Sequence, residues 1–159
     1  MLTFLQDEPP VMVDWLPWHH TAGGNHNNGL VLYHGGSLYI DDGRPTAAGI
    51  GATVRNLREI ATTFYVNVPK GFEVLLPSLE GDAALRERFF SRLKLMFYAG
   101  ANLAQHVWAA VQRNALETTG ERILMLTGLG ATETAPFVFM PGREVAGRAR
   151  SACPRPVSS

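Results

Sequence analysis

Short apolar runs recur along the chain, separated by longer stretches in which apolar and polar residues alternate with a different period. Val11-Met12-Val13, Leu38-Tyr39-Ile40, Phe64-Tyr65-Val66, Leu95-Met96-Phe97-Tyr98 and Ile123-Leu124-Met125-Leu126 have the length and the β-branched or aromatic content of buried strands. Between them the period lengthens to that of a helix. Ile50, Val54, Leu57 and Ile60-Ala61 form one apolar stripe, with Arg55, Arg58 and Glu59 on the opposite face. Leu85, Phe89 and Leu93 form a second behind Asp82, a residue type that caps helix N-termini. A third helix is predicted to start at Asn102: Asn102 and Gln105 make a capping-box pattern, Leu103, Val107 and Val111 supply the stripe, and Gly120 follows the end. This alternation predicts an α/β fold, a mainly parallel sheet with covering helices, whose ligands bind beyond the carboxyl ends of the strands.

The segments just past the strands are Trp15 to Gly24, Asp41 to Pro45, Asn67 to Gly71, Ala99 to Asn102 and Thr127 to Glu133, and they are expected to converge on one cleft. The last of them reads Thr127-Gly128-Leu129-Gly130-Ala131-Thr132-Glu133. Two glycines at a strand exit allow positive φ and close backbone approach, Thr132 offers a hydroxyl to a phosphate oxygen, and Glu133 offers a hard carboxylate to Mg²⁺. The same residues also read as a glycine-rich strand-to-helix turn capped by Thr132.

With 159 residues, 46% of them apolar and 18% charged, the chain can build one core. Lys+Arg and Asp+Glu number 14 each, so no overall basic field recruits nucleic acid or anionic lipid. The N-terminal residues lack the basic segment of a signal peptide, and no apolar run approaches the roughly 20 residues of a membrane span. A cytoplasmic protein without nucleic-acid or membrane partners is therefore expected. Composition divides the chain into residues 1–139 and a tail, 140–159, rich in Arg, Pro, Ala and Ser. The tail reads as disordered or as the product of a shifted reading frame, and its Cys153 as a bystander thiol.

The block from Asp14 to Asn27, DWLPWHHTAGGNHN, is dense in His, Trp and Asn. His19, His20, His26 and His34 lie close enough in sequence to raise the question of zinc. Their spacing argues against it, because no His-Glu-x-x-His pattern or nearby cysteine accompanies them.

Three blocks, Leu16-Pro17-Trp18-His19-His20-Thr21-Ala22-Gly23, Tyr98-Ala99-Gly100-Ala101-Asn102-Leu103 and Gly128-Leu129-Gly130-Ala131-Thr132-Glu133, resemble in order and rough spacing core motifs of the adenylate-forming acyl- and aryl-CoA synthetases. The wording is closest to the feruloyl-CoA synthetase type, which Leu38-Tyr39-Ile40-Asp41-Asp42-Gly43 and Asn67-Val68-Pro69-Lys70-Gly71-Phe72 also resemble. The resemblance implies that residues 1–139 are part of the large N-terminal adenylation domain of an acid–CoA ligase using ATP, Mg²⁺ and CoA. The acid implied is an aromatic one, a hydroxycinnamate such as ferulate. Thr132 matches the family threonine that hydrogen-bonds phosphate, Glu133 the magnesium-binding glutamate, and His20 the motif bordering the acyl pocket. Ala99, Gly100 and Ala101 match the backbone segment against adenine and the aryl group, while Gly128, Leu129 and Gly130 match the glycine-rich nucleotide turn.

The chain departs from the family pattern at several positions. Leu129 stands where many relatives stack a tyrosine on adenine, His19 adjoins His20 so that either imidazole could border the pocket, and Ala22 and Asn28 replace bulkier apolar residues. The family's phosphate loop, its downstream Thr-Gly-Asp block and its adenylation lysine have no counterparts, and both lysines, Lys70 and Lys94, precede Glu133. The chain is therefore expected to be an internal piece of a longer enzyme, inactive alone and prone to aggregate through open sheet edges. The rival reading is a non-catalytic module that binds a nucleotide or an aromatic acid.

Overall fold

The computed structural model describes residues 4–134. Its strands fall where the apolar runs place them: β1 (Val11–Asp14), β2 (Ser37–Ile40), β3 (Phe64–Asn67), β4 (Leu95–Ala99) and β5 (Leu124–Gly128). All pairing is parallel, with Val11 opposite Ser37 in one ladder, and Phe64 opposite Leu95 and Leu95 opposite Leu124 in the other. Thr63 joins the two ladders. The Val11 amide donates to Thr63 Oγ1 at 2.9 Å, and the Thr63 amide donates to the Val11 carbonyl at 3.0 Å. The spatial order is thus β2-β1-β3-β4-β5, and it reverses direction between β1 and β3, the topological switch point at which open α/β sheets bind ligands.

The connections follow from that order. Four helices, α3 (Ile50–Glu59), α4 (Pro69–Gly81), α5 (Ala83–Phe90) and α6 (Gln105–Thr119), bury the sheet face that carries Val13, Tyr65, Met96, Tyr98 and Met125. The other face, with Met12, Phe64, Val66, Phe97 and Leu126, lies under a short α1 (Phe4–Asp7), a π-helical turn (Ala22–Asn28) and α2 (Gly29–His34). Parallel crossovers share one hand, so the connection from β1 to β2, running opposite to the others along the sheet, belongs on the opposite face. Tyr65 anchors the larger core, edge-on to Phe72 at 5.5 Å and to Phe89 at 5.1 Å between ring centroids. Each such buried ring contributes about 1.5 to 3 kcal/mol.

Local signals fix some helix ends. Asp82 caps α5, its Oδ1 accepting from the Leu85 amide at 3.0 Å, and Gly120, at φ 78°, ends α6 in the left-handed region. The predicted start at Asn102 is wrong: α6 begins at Gln105 behind an extended Ala104, and no side chain caps it. Gly100 at φ 91° turns the chain out of β4, so residues 101–104 are spent crossing to the helix face and Asn102 is exposed outside the helix. Leu93, placed in the α5 stripe, lies past the helix end yet is buried. Three helical segments escaped the periodicity: the short α1, α4, whose Pro69 sits at the first helical position, and the π-helical turn with α2. Cys153 and the whole 140–159 segment lie outside the described residues.

Candidate functional site

Ala99 and Gly128 are the last paired residues of β4 and β5 and lie opposite each other. The segments that follow, Gly100-Ala101 and Leu129-Gly130, therefore leave the sheet side by side at its carboxyl edge. Gly100 is exposed, and a Cβ built on it meets no atom within 4 Å, so the backbone there is open to a flat group. The positive φ that the two glycines of this exit allow is not used at Gly128, which is extended within β5; positive φ falls on Gly100 at the neighbouring exit. Thr132 and Glu133 occupy an exposed 3₁₀ turn just beyond. Within that turn the Thr134 hydroxyl reaches back and accepts from the Ala131 amide at 2.9 Å. Beneath these exits burial raises the Tyr98 hydroxyl above the usual tyrosine range, with Thr127 across the pair partly opposing it.

The exit of β1 is built around glycine. The turn from Pro17 to His20 closes with the His20 amide donating to the Pro17 carbonyl at 2.9 Å, and His20 Nδ1 accepts from the Ala22 amide at 3.2 Å. His20 is exposed at the same end of the sheet as Gly100 and Glu133, but β3 stands between β1 and β4, and its bonds are with its own turn. His26, considered from sequence only in the zinc question, reaches the sheet: its ring lies 6.3 Å from both Phe64 and Phe97. Burial lowers its pKa below the usual histidine value, against opposing contributions from Asn27 and Asp14. Asp14, buried at the end of β1, accepts from the Leu16 amide at 3.0 Å and from Asn27 at 2.9 Å. Burial raises its carboxyl above the ordinary aspartate range.

At the switch point itself, Trp15 Nε1 donates to Asn67 Oδ1 at 3.2 Å, and Asn67 Nδ2 donates to the Tyr65 hydroxyl at 2.8 Å. Burial drives that hydroxyl far above the ordinary tyrosine value. Asp41, just past β2, accepts from the Gly43 amide, the Thr53 hydroxyl and Asn56. These residues hold the strand exits in place. The signal that could have found part of this network was the polar density of the block from Asp14 to Asn27, whose two most buried polar members, Asp14 and Asn27, bond to each other.

A family model described as AMP-binding enzyme matches residues 2–159. The chain belongs to the AMP-binding enzyme family. Solved structures agree in fold. An anthranilate CoA ligase in complex with anthranoyl-AMP superposes with TM-score 0.61 at 22% identity over 86% of this chain and 24% of that one. For a long-chain-fatty-acid-CoA ligase from Archaeoglobus fulgidus the values are 0.60, 18%, 87% and 27%. A malonyl-CoA ligase with methylmalonyl-CoA and AMP bound gives 0.54, 24%, 76% and 24%. The chain thus spans about a quarter of the length of each of these structures. No curated protein matches it.

Among the described residues no three His, Cys, Asp or Glu side chains gather as a metal cluster. Mg²⁺ ordinarily needs none, since it keeps several waters and takes one or two carboxylates together with substrate phosphates. Glu133, exposed on the turn beyond β5, is a carboxylate of that kind. No helix among the described residues is long and apolar enough to cross a membrane.

Proposed function

We propose that this chain forms part of an ATP-dependent acid–CoA ligase that activates an aromatic carboxylic acid, a hydroxycinnamate such as ferulate. In the reaction the acid's carboxylate oxygen attacks the α-phosphate of ATP, the bond to pyrophosphate breaks, and the thiol of CoA then displaces AMP from the acyl carbon. The observation that carries this reading is the Ala99–Gly128 pairing, from which the segments beginning at Gly100 and Leu129 leave the carboxyl edge of a family-matched sheet as neighbours. Open backbone at Ala99, Gly100 and Ala101 receives the adenine and aryl rings, and the Gly128-Leu129-Gly130 turn borders the nucleotide. Leu129, 69% exposed, supplies apolar contact where a stacked tyrosine would otherwise lie. Thr132 donates its hydroxyl to a phosphate oxygen, and Glu133 is the carboxylate that would hold Mg²⁺. When bound, that ion would offset charge developing on the phosphate. His20 borders the acyl group from the β1 side.

Isothermal titration with ATP and Mg²⁺ tests the assignment. Glu133→Ala is expected to abolish the Mg²⁺-dependent part of the affinity. Thr132→Ala is expected to weaken binding by about 10-fold to 150-fold, the range of one charge-assisted hydrogen bond. A non-hydrolysable feruloyl-adenylate analogue should bind more tightly than its long-chain acyl counterpart. Equal ATP affinity in the wild type and both variants, or a preference for the long-chain analogue, contradicts the proposal.

A further inference from the structure

On the sheet face that carries Phe64 and Phe97, a line of polar groups runs from the end of β1 into the π-helical turn. Asp14 and Asn27 are both buried, and the Asp14 carboxylate uses one oxygen for the Leu16 amide and the other for Asn27 Nδ2. An amide whose nitrogen faces a carboxylate turns its carbonyl the other way, and Asn27 Oδ1 meets His26 Nδ1 at 2.8 Å. The carbonyl has no proton to give, so the proton in that contact belongs to the imidazole.

We propose that Asp14 is a positioning residue for His26: acting through the Asn27 amide, it fixes the imidazole with its proton on Nδ1 and its lone pair on Nε2. The arrangement is a carboxylate–amide–imidazole relay. Carboxylates commonly fix the tautomer of working histidines by direct contact, and here an amide is interposed. Burial keeps the His26 pKa below the ordinary value, so the neutral tautomer prevails at neutral pH. The ring held in this form lies on the face of the sheet where Ala99 leaves β4. The Asn27 position is held in turn by the π-helical backbone, which a Cβ at Gly23 would force off the Pro17 and Leu16 carbonyls. None of this depends on the ligase reading.

Nitrogen-15 NMR of the imidazole rings in the intact chain reports the tautomer directly, and His26→Gln identifies its signals among the five histidines. The wild type is expected to show a single tautomer protonated at Nδ1. Asp14→Asn should reverse it, because the new amide donates to the Asn27 oxygen, Asn27 then offers its NH₂ to His26, and the ring proton moves to Nε2. Where Asp14→Asn does not fold, Asn27→Ser carries the same test, since its short hydroxyl cannot span both partners and a tautomer mixture should result. A wild type protonated at Nε2 or present as a mixture overturns the proposal, as does an Nδ1 tautomer that survives in a folded Asp14→Asn or Asn27→Ser variant. Because no ligand is added, these outcomes are independent of whether ATP or ferulate binds.

Discussion

Glycine at position 23 is dictated by two carbonyls rather than by a left-handed turn. A Cβ there would lie 2.6 Å from the Pro17 oxygen and 2.7 Å from the Leu16 oxygen, both backbone atoms that cannot swing away. Gly23→Ala should therefore destabilise the fold by about 1 to 3 kcal/mol, the usual cost of overpacking, seen as a lower urea midpoint; an unchanged midpoint contradicts the packing described. His26 gives a pH signature. Its folded pKa lies below the ordinary 6.5, so its contribution to stability is intact above pH 6.5 and is lost as pH falls through the folded value. Asp14 runs the other way: its raised carboxyl contributes fully below pH 3.8 and loses that contribution as pH rises through the folded value. Melting curves taken from about pH 7 to about pH 5 should show the wild type losing more stability than His26→Gln. Parallel losses would count against a partly buried, neutral imidazole. Sequence drew attention to His20 through the motif it resembles, whereas the buried contacts of His26 depend on a π-helical turn that no apolar period announces.

Elements were legible where the signal is local. The inner strands β1, β3 and β4 were continuous apolar runs because both faces of a parallel sheet are covered there, and Asp82 declared α5 because a cap acts within three residues. Asp82 also pairs with Arg58 of α3, so Asp82→Ala removes both a cap and an ion pair. The loss should be about 0.5 to 2 kcal/mol, most of it from the cap because Arg58 is half exposed. Thermal denaturation in high salt checks this, since screening should leave the greater part of the effect in place. The helix at Asn102 was misplaced for the converse reason. Asn102 and Gln105 have capping-box spacing, but Gly100 at φ 91° commits the chain to extended residues before a helix can begin. Latches such as Trp15–Asn67 join residues 52 apart and leave no trace in any local pattern.

At the scale of the molecule, the order of the strands was invisible in sequence because it depends on long-range pairing, above all on Thr63 bridging β1 and β3. That order puts β2 at an edge among the described strands, with Tyr39 45% and Ile40 70% exposed and no charge or proline within Ser37–Ile40 to blunt it. Ile40→Lys should suppress self-association in sedimentation velocity without lowering the melting temperature; equal association in both proteins would place the sticky surface elsewhere. The same order aligns every strand exit at one end, where the segments expected from sequence to converge are found. Amide chemical-shift mapping with a non-hydrolysable feruloyl-adenylate analogue decides whether they act as one site. Shifts should cluster at Ala99–Ala101, Gly128–Gly130, Thr132–Glu133 and the His20 turn together. Shifts confined to another face of the sheet, or reaching His20 without residues 99–101 and 128–133, contradict a shared adenylate site.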